Sequence, residues 1–220
     1  MIVMDNGLLP RPLGRSLDMS LREWIEYYQG DVVTKQVHYR GVPTWKNVFD
    51  LWVIQEIIHD TQPEIVVEIG CKFGGTTLWL SDMMKTVASG SVISVDLNRP
   101  RFDFPQNVQF IEGDSIASGT VAQVQGLCGG HRTMLLADGN HAAEHVFQEL
   151  LLYGPMVAPG CYFVVEDGIV DVMDWPQYQP GPLVAVQRFL SENSSFVTDE
   201  GREKFILTYA PGGFLKRVGG

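Results

Sequence analysis

Glu166 and Asp167 close the apolar run CYFVVEDG (161–168), and Asp138 closes another, LLADG (135–139). Runs of this kind read as strands buried on both faces. Carboxylates delivered side by side at the tips of neighbouring strands repel one another unless they are protonated or share a cation. Ligation by oxygen alone suits a hard divalent ion such as Mg²⁺, which keeps open positions for substrate oxygens. On the plainer reading, one carboxylate binds a small molecule and another caps a turn. His141 follows Asp138 by three residues, in a turn entering a helix. An imidazole with an ordinary pKa of about 6.5 is suited to take a proton from a metal-bound hydroxyl. His145, one helical turn further on, is expected on the helix surface or behind the site, and His38 and His59 are expected to be structural. Lys46 has the reach to meet a ligand carboxylate, although a lone lysine is ordinarily solvated.

A second set of residues has the spacing of a small-molecule cradle. In VVEIGCKFGGTTLWL (66–80), a buried run delivers Glu68 and then Gly70, Gly74 and Gly75 in a tight turn, with Thr76 at the start of a helix. Glycines there permit positive φ and close backbone approach, and the helix N-terminus offers free N–H groups. A dinucleotide fingerprint, G-x-G-x-x-G, would need glycine where this chain has Lys72. The spacing E-x-G-x-x-x-G instead resembles the first motif of S-adenosylmethionine-dependent methyltransferases, whose loop holds the methionine part of the cofactor. Asp96 closes SVISVDLN, where an acid can accept hydrogen bonds from both ribose hydroxyls. Asp114 and Ser115, in FIEGDS, stand where methyltransferases of this kind recognise adenine. Singly, each acid reads equally as a helix cap or a solvated turn. Three in this order point to one nucleotide-like ligand, with Asp138 bordering it.

The elements that must carry these residues alternate. Short apolar runs EIVVEIG, SVISVDL, NVQFIEGD, RTMLLADG and GCYFVVEDG are separated by helical stretches near 75–87, 117–126 and 142–153. A helix after PGP and two further strands, in SSFVTDE and KFILTYA, complete the pattern. This predicts a Rossmann-like α/β fold, a mostly parallel seven-stranded sheet with helices on both faces. Ligands of such sheets lie beyond the carboxyl ends of the strands, where the acids and glycines fall. Upstream, SLREWIEYYQG predicts a helix stopping at Gly30, and NVFDLWVIQEIIHD a second one capped by Asn47, with Leu51, Ile54, Ile57 and Ile58 inward.

At 220 residues and 45% hydrophobic, the chain suits one domain. A formal net charge of -10 argues against nucleic-acid binding, which needs a Lys/Arg surface. Cys71, Cys128 and Cys161 form no C-x-x-C pair and read as free thiols in a reducing compartment. The start MIVMDNGLLPRPLGRS lacks a secretory pattern and no run approaches membrane-spanning length, so a cytoplasmic protein without membrane contact is expected. The aromatic-rich helix outside the α/β pattern suggests that residues 19–60 help form a homo-oligomer.

The blocks YRGVPTWKNVFDLWVIQEII, VVEIGCKFGGTTLWLSDMM, LLADGNHAAEHVFQELLLYGPMVAPGCYFVVEDG, PGPLVAVQRFL and EKFILTYAPGGFLKRV together resemble the cephalosporin hydroxylase family. Despite the name, its members are largely metal-dependent O-methyltransferases of natural products and glycosides. The resemblance runs from about residue 38 to the C-terminus, which implies a methyltransferase domain at 38–220 preceded by an extension at 1–37. By position it implies Asp138, Glu166 and Asp167 as metal ligands, and Glu68, Gly70, Asp96 and Asp114 as S-adenosylmethionine contacts. The expected activity is Mg²⁺-dependent methyl transfer to a hydroxyl of a small natural product or sugar. The rivals are a hydroxylase or oxidoreductase with a nucleotide cofactor, and a non-catalytic scaffold. Trp175 and Tyr178, in DVMDWPQYQPGP, either wall the acceptor pocket or pack within their own loop.

Overall fold

A computed structural model describes residues 18–219. The start of the expected extension, including the stretch read for a secretory pattern, lies outside the described residues. Five apolar runs form the parallel part of the sheet: β3 (Ile65–Ile69), β4 (Ser91–Asp96), β5 (Val108–Glu112), β6 (Thr133–Ala137) and β7 (Tyr162–Val165). Ahead of them, β1 (His38–Tyr39) and β2 (Val42–Pro43) make a small separate hairpin. The seven-stranded order is β5-β4-β3-β6-β7-β9-β8, in which β9 (Phe214–Arg217) runs antiparallel to both β7 and β8 (Phe196–Thr198). Every residue of β3, β6 and β7 is buried, so both faces of the sheet centre are covered.

Register sets the site. Ile69 pairs with both Val95 and Ala137, and Ala137 pairs with Val165. The next residues, Gly70, Asp96, Asp138 and Glu166, therefore emerge in one row at the carboxyl edge. The helices between strands are α4 (Gly75–Met83), α5 (Ser118–Cys128) and α6 (Ala143–Tyr153). Past β7 come α7 (Ile169–Val172) and α8 (Pro182–Glu192), and α8 packs along α6.

Upstream, α1 (Leu21–Tyr27) opens with a reciprocal cap between Ser20 and Glu23. The expected stop at Gly30 is not where the helical chain ends. A wide turn continues through Val33 into α2 (Thr34–Gln36), because Tyr28 and Val33 are drawn into a buried cluster. That cluster also holds Ile25, Ile169, Val170, Met173, Leu207 and Tyr209, so the N-terminal helix braces the segment after Glu166 and Asp167. In α3 (Val48–Thr61), Asn47 Oδ1 accepts from the Phe49 N–H at 3.2 Å, and Ile54, Ile57 and Ile58 are buried as expected.

The last strand is also displaced from its expected place. KFILTYA is irregular, with Ile206 at φ 66°, and β9 forms later, over Phe214–Arg217. Leu207 and Tyr209 serve the second cluster instead of a ladder. Chain entry to β9 requires Gly213, since a Cβ there would lie 2.1 Å from the Val165 carbonyl oxygen.

Candidate active site

The glycine turn after β3 is shaped by close backbone passage. Gly70 has φ +88°, and a Cβ there would fall 2.4 Å from the Asp138 carbonyl oxygen, so the ends of β3 and β6 can lie side by side only with glycine at this position. Asp96 fixes the same turn from β4. Its Oδ2 accepts from the Cys71 and Lys72 N–H groups at 2.9 and 2.8 Å, and its Oδ1 accepts from Asn98 N–H at 3.1 Å.

Glu68 lies beneath the turn. Its Oε2 accepts from Ser94 at 2.9 Å and from the Thr77 hydroxyl, while Oε1 has no hydrogen-bond partner among the described residues. Burial pushes this carboxyl up to about 7, against the opposing hydrogen bonds and Lys46. Glu68 thus ties α4 to β4.

A cavity of about 830 Å³ opens over the carboxyl edge, lined among others by Gly70, Asp96, Asp114, Ser115, His141 and Tyr178. Glu68, Gly74, Gly75, Thr76 and Asp138, all expected at the cofactor, are not on its wall. Gly75 is pressed against the Pro43 carbonyl and the Thr44 side chain, and Thr76 is buried in the first turn of α4. Of the two loop aromatics, Tyr178 reaches the cavity and sets its ring edge-on to His141 at 5.9 Å, whereas Trp175 packs on the second cluster. His38 and His59 are both exposed, away from the wall.

Beside the cavity, Lys46 is driven between two strand tips. Only 3% exposed, its Nζ lies 2.6 Å from Asp138 Oδ2 and 2.6 Å from Glu166 Oε1. Burial disfavours its charge, but the two carboxylates overcome that and hold its proton above the ordinary lysine range. One ammonium does not balance three carboxylates. Burial, reinforced by Asp138 and opposed by Lys46, pushes Glu166 up to about 8. Burial and the charges of Asp138 and Glu166 push Asp167 well above its usual range. Asp167 also holds φ 59°, a left-handed backbone costly for a non-glycine residue. Its Oδ2 lies 3.4 Å from His141 Nε2, and burial lowers the His141 pKa, which favours the neutral, proton-accepting ring.

As the side chains stand, no three His, Cys, Asp or Glu groups among the described residues are gathered to hold a metal ion. The donor chemistry nonetheless fits a hard cation. All three groups offer oxygen, and when ionised together their charge exceeds that of Lys46, the one ammonium between them.

At the far end of the cavity, α6 presents His145, Glu149 and Tyr153 to the loop after β5. Ser115 Oγ donates to Glu149 Oε1 at 2.5 Å, His145 Nε2 lies 3.0 Å from that Oγ, and the Tyr153 hydroxyl donates to the Ser115 carbonyl at 2.6 Å. His145 is therefore not a surface histidine. Sequence reasoning missed Glu149 altogether. Its signal was an acid at a helical position whose neighbours on the same face, Val146, Leu150 and Tyr153, are apolar or aromatic and buried.

A sheet in this order, with a glycine turn on β3, an acid closing β4 and a cavity over the carboxyl edge, defines an S-adenosylmethionine-dependent methyltransferase of the Rossmann-like class. The chain belongs to the Rhamnosyl O-methyltransferase/CmcI family, whose model matches residues 31–218, in agreement with the resemblance seen in the sequence. It is 32% identical over 213 residues to a Rhamnosyl O-methyltransferase of Mycobacterium bovis (strain BCG / Pasteur 1173P2), covering 92% of this chain and 87% of that one. It is 30% identical over 221 residues to the protein of the same name from Mycobacterium leprae (strain TN), covering 96% and 95%. Among solved structures, cmcI-D160 Mg-SAM superposes with a TM-score of 0.65 at 21% identity, covering 93% of this chain and 87% of that one.

Proposed function

We propose that this methyltransferase moves the methyl group of S-adenosylmethionine to a hydroxyl of a sugar or sugar-bearing natural product, assisted by Mg²⁺. The observation that carries this reading is the division of one carboxyl edge into two halves. Gly70, Asp96, Asp114 and Ser115 offer a nucleotide-like cradle, and Asp138, Glu166, Asp167, Lys46 and His141 form a charged cluster beside it. The names of the mycobacterial relatives support a sugar hydroxyl as acceptor, and the named ligands of cmcI-D160 Mg-SAM support the cofactor and the ion.

On this reading the Gly70 turn lies against the methionine part, Asp96 accepts from the ribose hydroxyls, and Asp114 with Ser115 meets the adenine. Asp138, Glu166 and Asp167 would hold Mg²⁺, which when bound acidifies and orients the acceptor hydroxyl. His141, kept neutral by burial, takes the hydroxyl proton at a ring nitrogen. Bound at the cradle, S-adenosylmethionine would supply the methyl group to that deprotonated oxygen, its sulfonium leaving as the neutral thioether of S-adenosylhomocysteine. Protonated Lys46 steadies Asp138 and Glu166, and Tyr178 limits water at His141. Most of the acceleration then comes from alignment of oxygen, methyl and sulfur. Lys72, at the second glycine position of a dinucleotide fingerprint, counts against the oxidoreductase rival, and the converging carboxylates count against a scaffold.

Calorimetric titration tests the cradle. S-adenosylhomocysteine should bind and NAD should not. Asp96→Ala should weaken S-adenosylhomocysteine binding by about tenfold or more, because it removes charge-assisted hydrogen bonds and frees the glycine turn. Binding of NAD alone would overturn the reading.

Self-association through residues 19–60 belongs to the same proposal. Leu21, Val48 and Trp52 of this segment are exposed apolar side chains, at 53%, 46% and 59%. Light scattering should show more than a monomer at micromolar concentration, and a monomer there would remove this part. A cytoplasmic site is supported by the three free cysteines.

A further inference from the structure

The loop after β5 is held from behind by a buried polar cluster. Ser115, 7% exposed, gives its hydroxyl proton to Glu149 Oε1 at 2.5 Å. Glu149 is 1% exposed, and its Oε2 has no hydrogen-bond partner among the described residues. A carboxylate so deeply buried needs a cation to offset its lost hydration. The charged groups facing it and the loop are few. His145 Nε2 lies 3.2 Å from Glu149 Oε1 on the same helix and 3.9 Å from Asp114 Oδ1 across the gap, and it approaches Ser115 Oγ at 3.0 Å.

We propose that His145 is a positioning residue for the nucleobase end of the cofactor, its imidazolium clamping Asp114 and Ser115 against Glu149 so that cofactor affinity depends on its protonation. The inference rests on the assignment of Asp114 and Ser115 to adenine made above. His145 acts through those two residues. With the ring charged, its Nε2–H is shared between Glu149 and the Ser115 hydroxyl, and its positive charge offsets the Asp114 carboxylate 3.9 Å away. With the ring neutral, Glu149 and Asp114 lose the counter-charge they share through His145, and the loop loosens. The hydrogen bond to Glu149 and, secondarily, the charges of Glu149 and Asp114 hold the His145 pKa above its ordinary value, against burial. The sign follows: the clamp is complete at low pH and is lost as pH rises through the raised pKa.

The test is S-adenosylhomocysteine binding by the full chain from pH 6 to 8.5, with S-adenosylmethionine kinetics alongside. Wild-type affinity should fall by roughly three- to tenfold across that range, which corresponds to a coupling of about half to one pKa unit. His145→Gln should lose the inflection and sit near the alkaline wild-type value, raising KM for S-adenosylmethionine with little change in kcat. Glu149→Gln, which keeps an acceptor for Ser115 and removes the charge, should move the inflection to lower pH and decides the matter if His145→Gln does not fold. A flat wild-type profile, or an inflection retained in His145→Gln, would overturn the clamp while leaving the cofactor assignment standing. No binding by the wild type at any pH would instead sink the cofactor assignment, and the clamp with it.

Discussion

Exhaustive chelation should abolish methyl transfer and leave S-adenosylhomocysteine binding close to its untreated value. The two halves of the carboxyl edge differ in what they need. The glycine turn is ordered by Asp96, whose partners are backbone N–H groups of the chain itself. The cluster of Asp138, Glu166 and Asp167 has one compensating ammonium, and Glu166 and Asp167 are both pushed above the usual carboxylate range. A second cation would relieve that repulsion. Its loss should cost several kcal/mol of transition-state stabilisation, a fall in turnover of about a thousandfold. Asp167→Asn should lower activity in the same direction, with partial recovery at high Mg²⁺ because an amide oxygen is still a weak ligand. Full activity after EDTA treatment would mean that Lys46 alone is the cation of this site.

Lys46→Met should be the most destabilising single change at the site. Removing one partner of a buried ion pair leaves the other charge unpaired, which costs about 3–5 kcal/mol. Here two carboxylates lose their partner, at 2.6 Å each. In metal-free buffer at pH 8, the melting temperature should drop by roughly 10 °C, taking about 2–4 °C per kcal/mol for a chain of this size. The loss should shrink as pH falls. Glu166 already has its folded-state pKa raised to about 8, above an ordinary value of 4.5, and without Lys46 it rises further. Such a group takes up a proton more readily folded than unfolded. Its contribution is favourable below the unfolded value and is lost as pH climbs through the folded one. Added Mg²⁺ should restore part of the stability at pH 8. Equal stability of variant and wild type at pH 8 without metal would show that the lysine does not neutralise this pair.

Some of this molecule is written locally in the chain. The runs EIVVEIG, SVISVDL and RTMLLADG became β3, β4 and β6 because short, mostly apolar runs bounded by acids and glycines suit strands buried on both faces. Asn47 capped α3, and the acid or glycine after each strand fell at one edge because register aligns Ile69, Val95 and Ala137. Where sequence reasoning failed, a tertiary demand had outweighed a local one. KFILTYA has the composition of a strand, yet its apolar side chains complete a cluster with the N-terminal helix, and the last strand begins after Gly213, where Val165 leaves no room for a side chain.

The sequence by itself determined the alternating fold, the order of acids along the carboxyl edge and the glycine turn, since strand period, apolar run length and backbone permissiveness are properties of adjacent residues. Only the tertiary structure decided what those acids face. Lys46 lies 92 residues from Asp138, and no pattern within a single element reports that its ammonium will be desolvated between two strand tips. Glu68, read as a cofactor contact, turns inward to Thr77 and Ser94, and His145, read as lying on the helix surface or behind the site, takes the second of these places, against Ser115 and Glu149. Electrostatic partnerships depend on distance and burial in space, and both come into being only when separate elements pack.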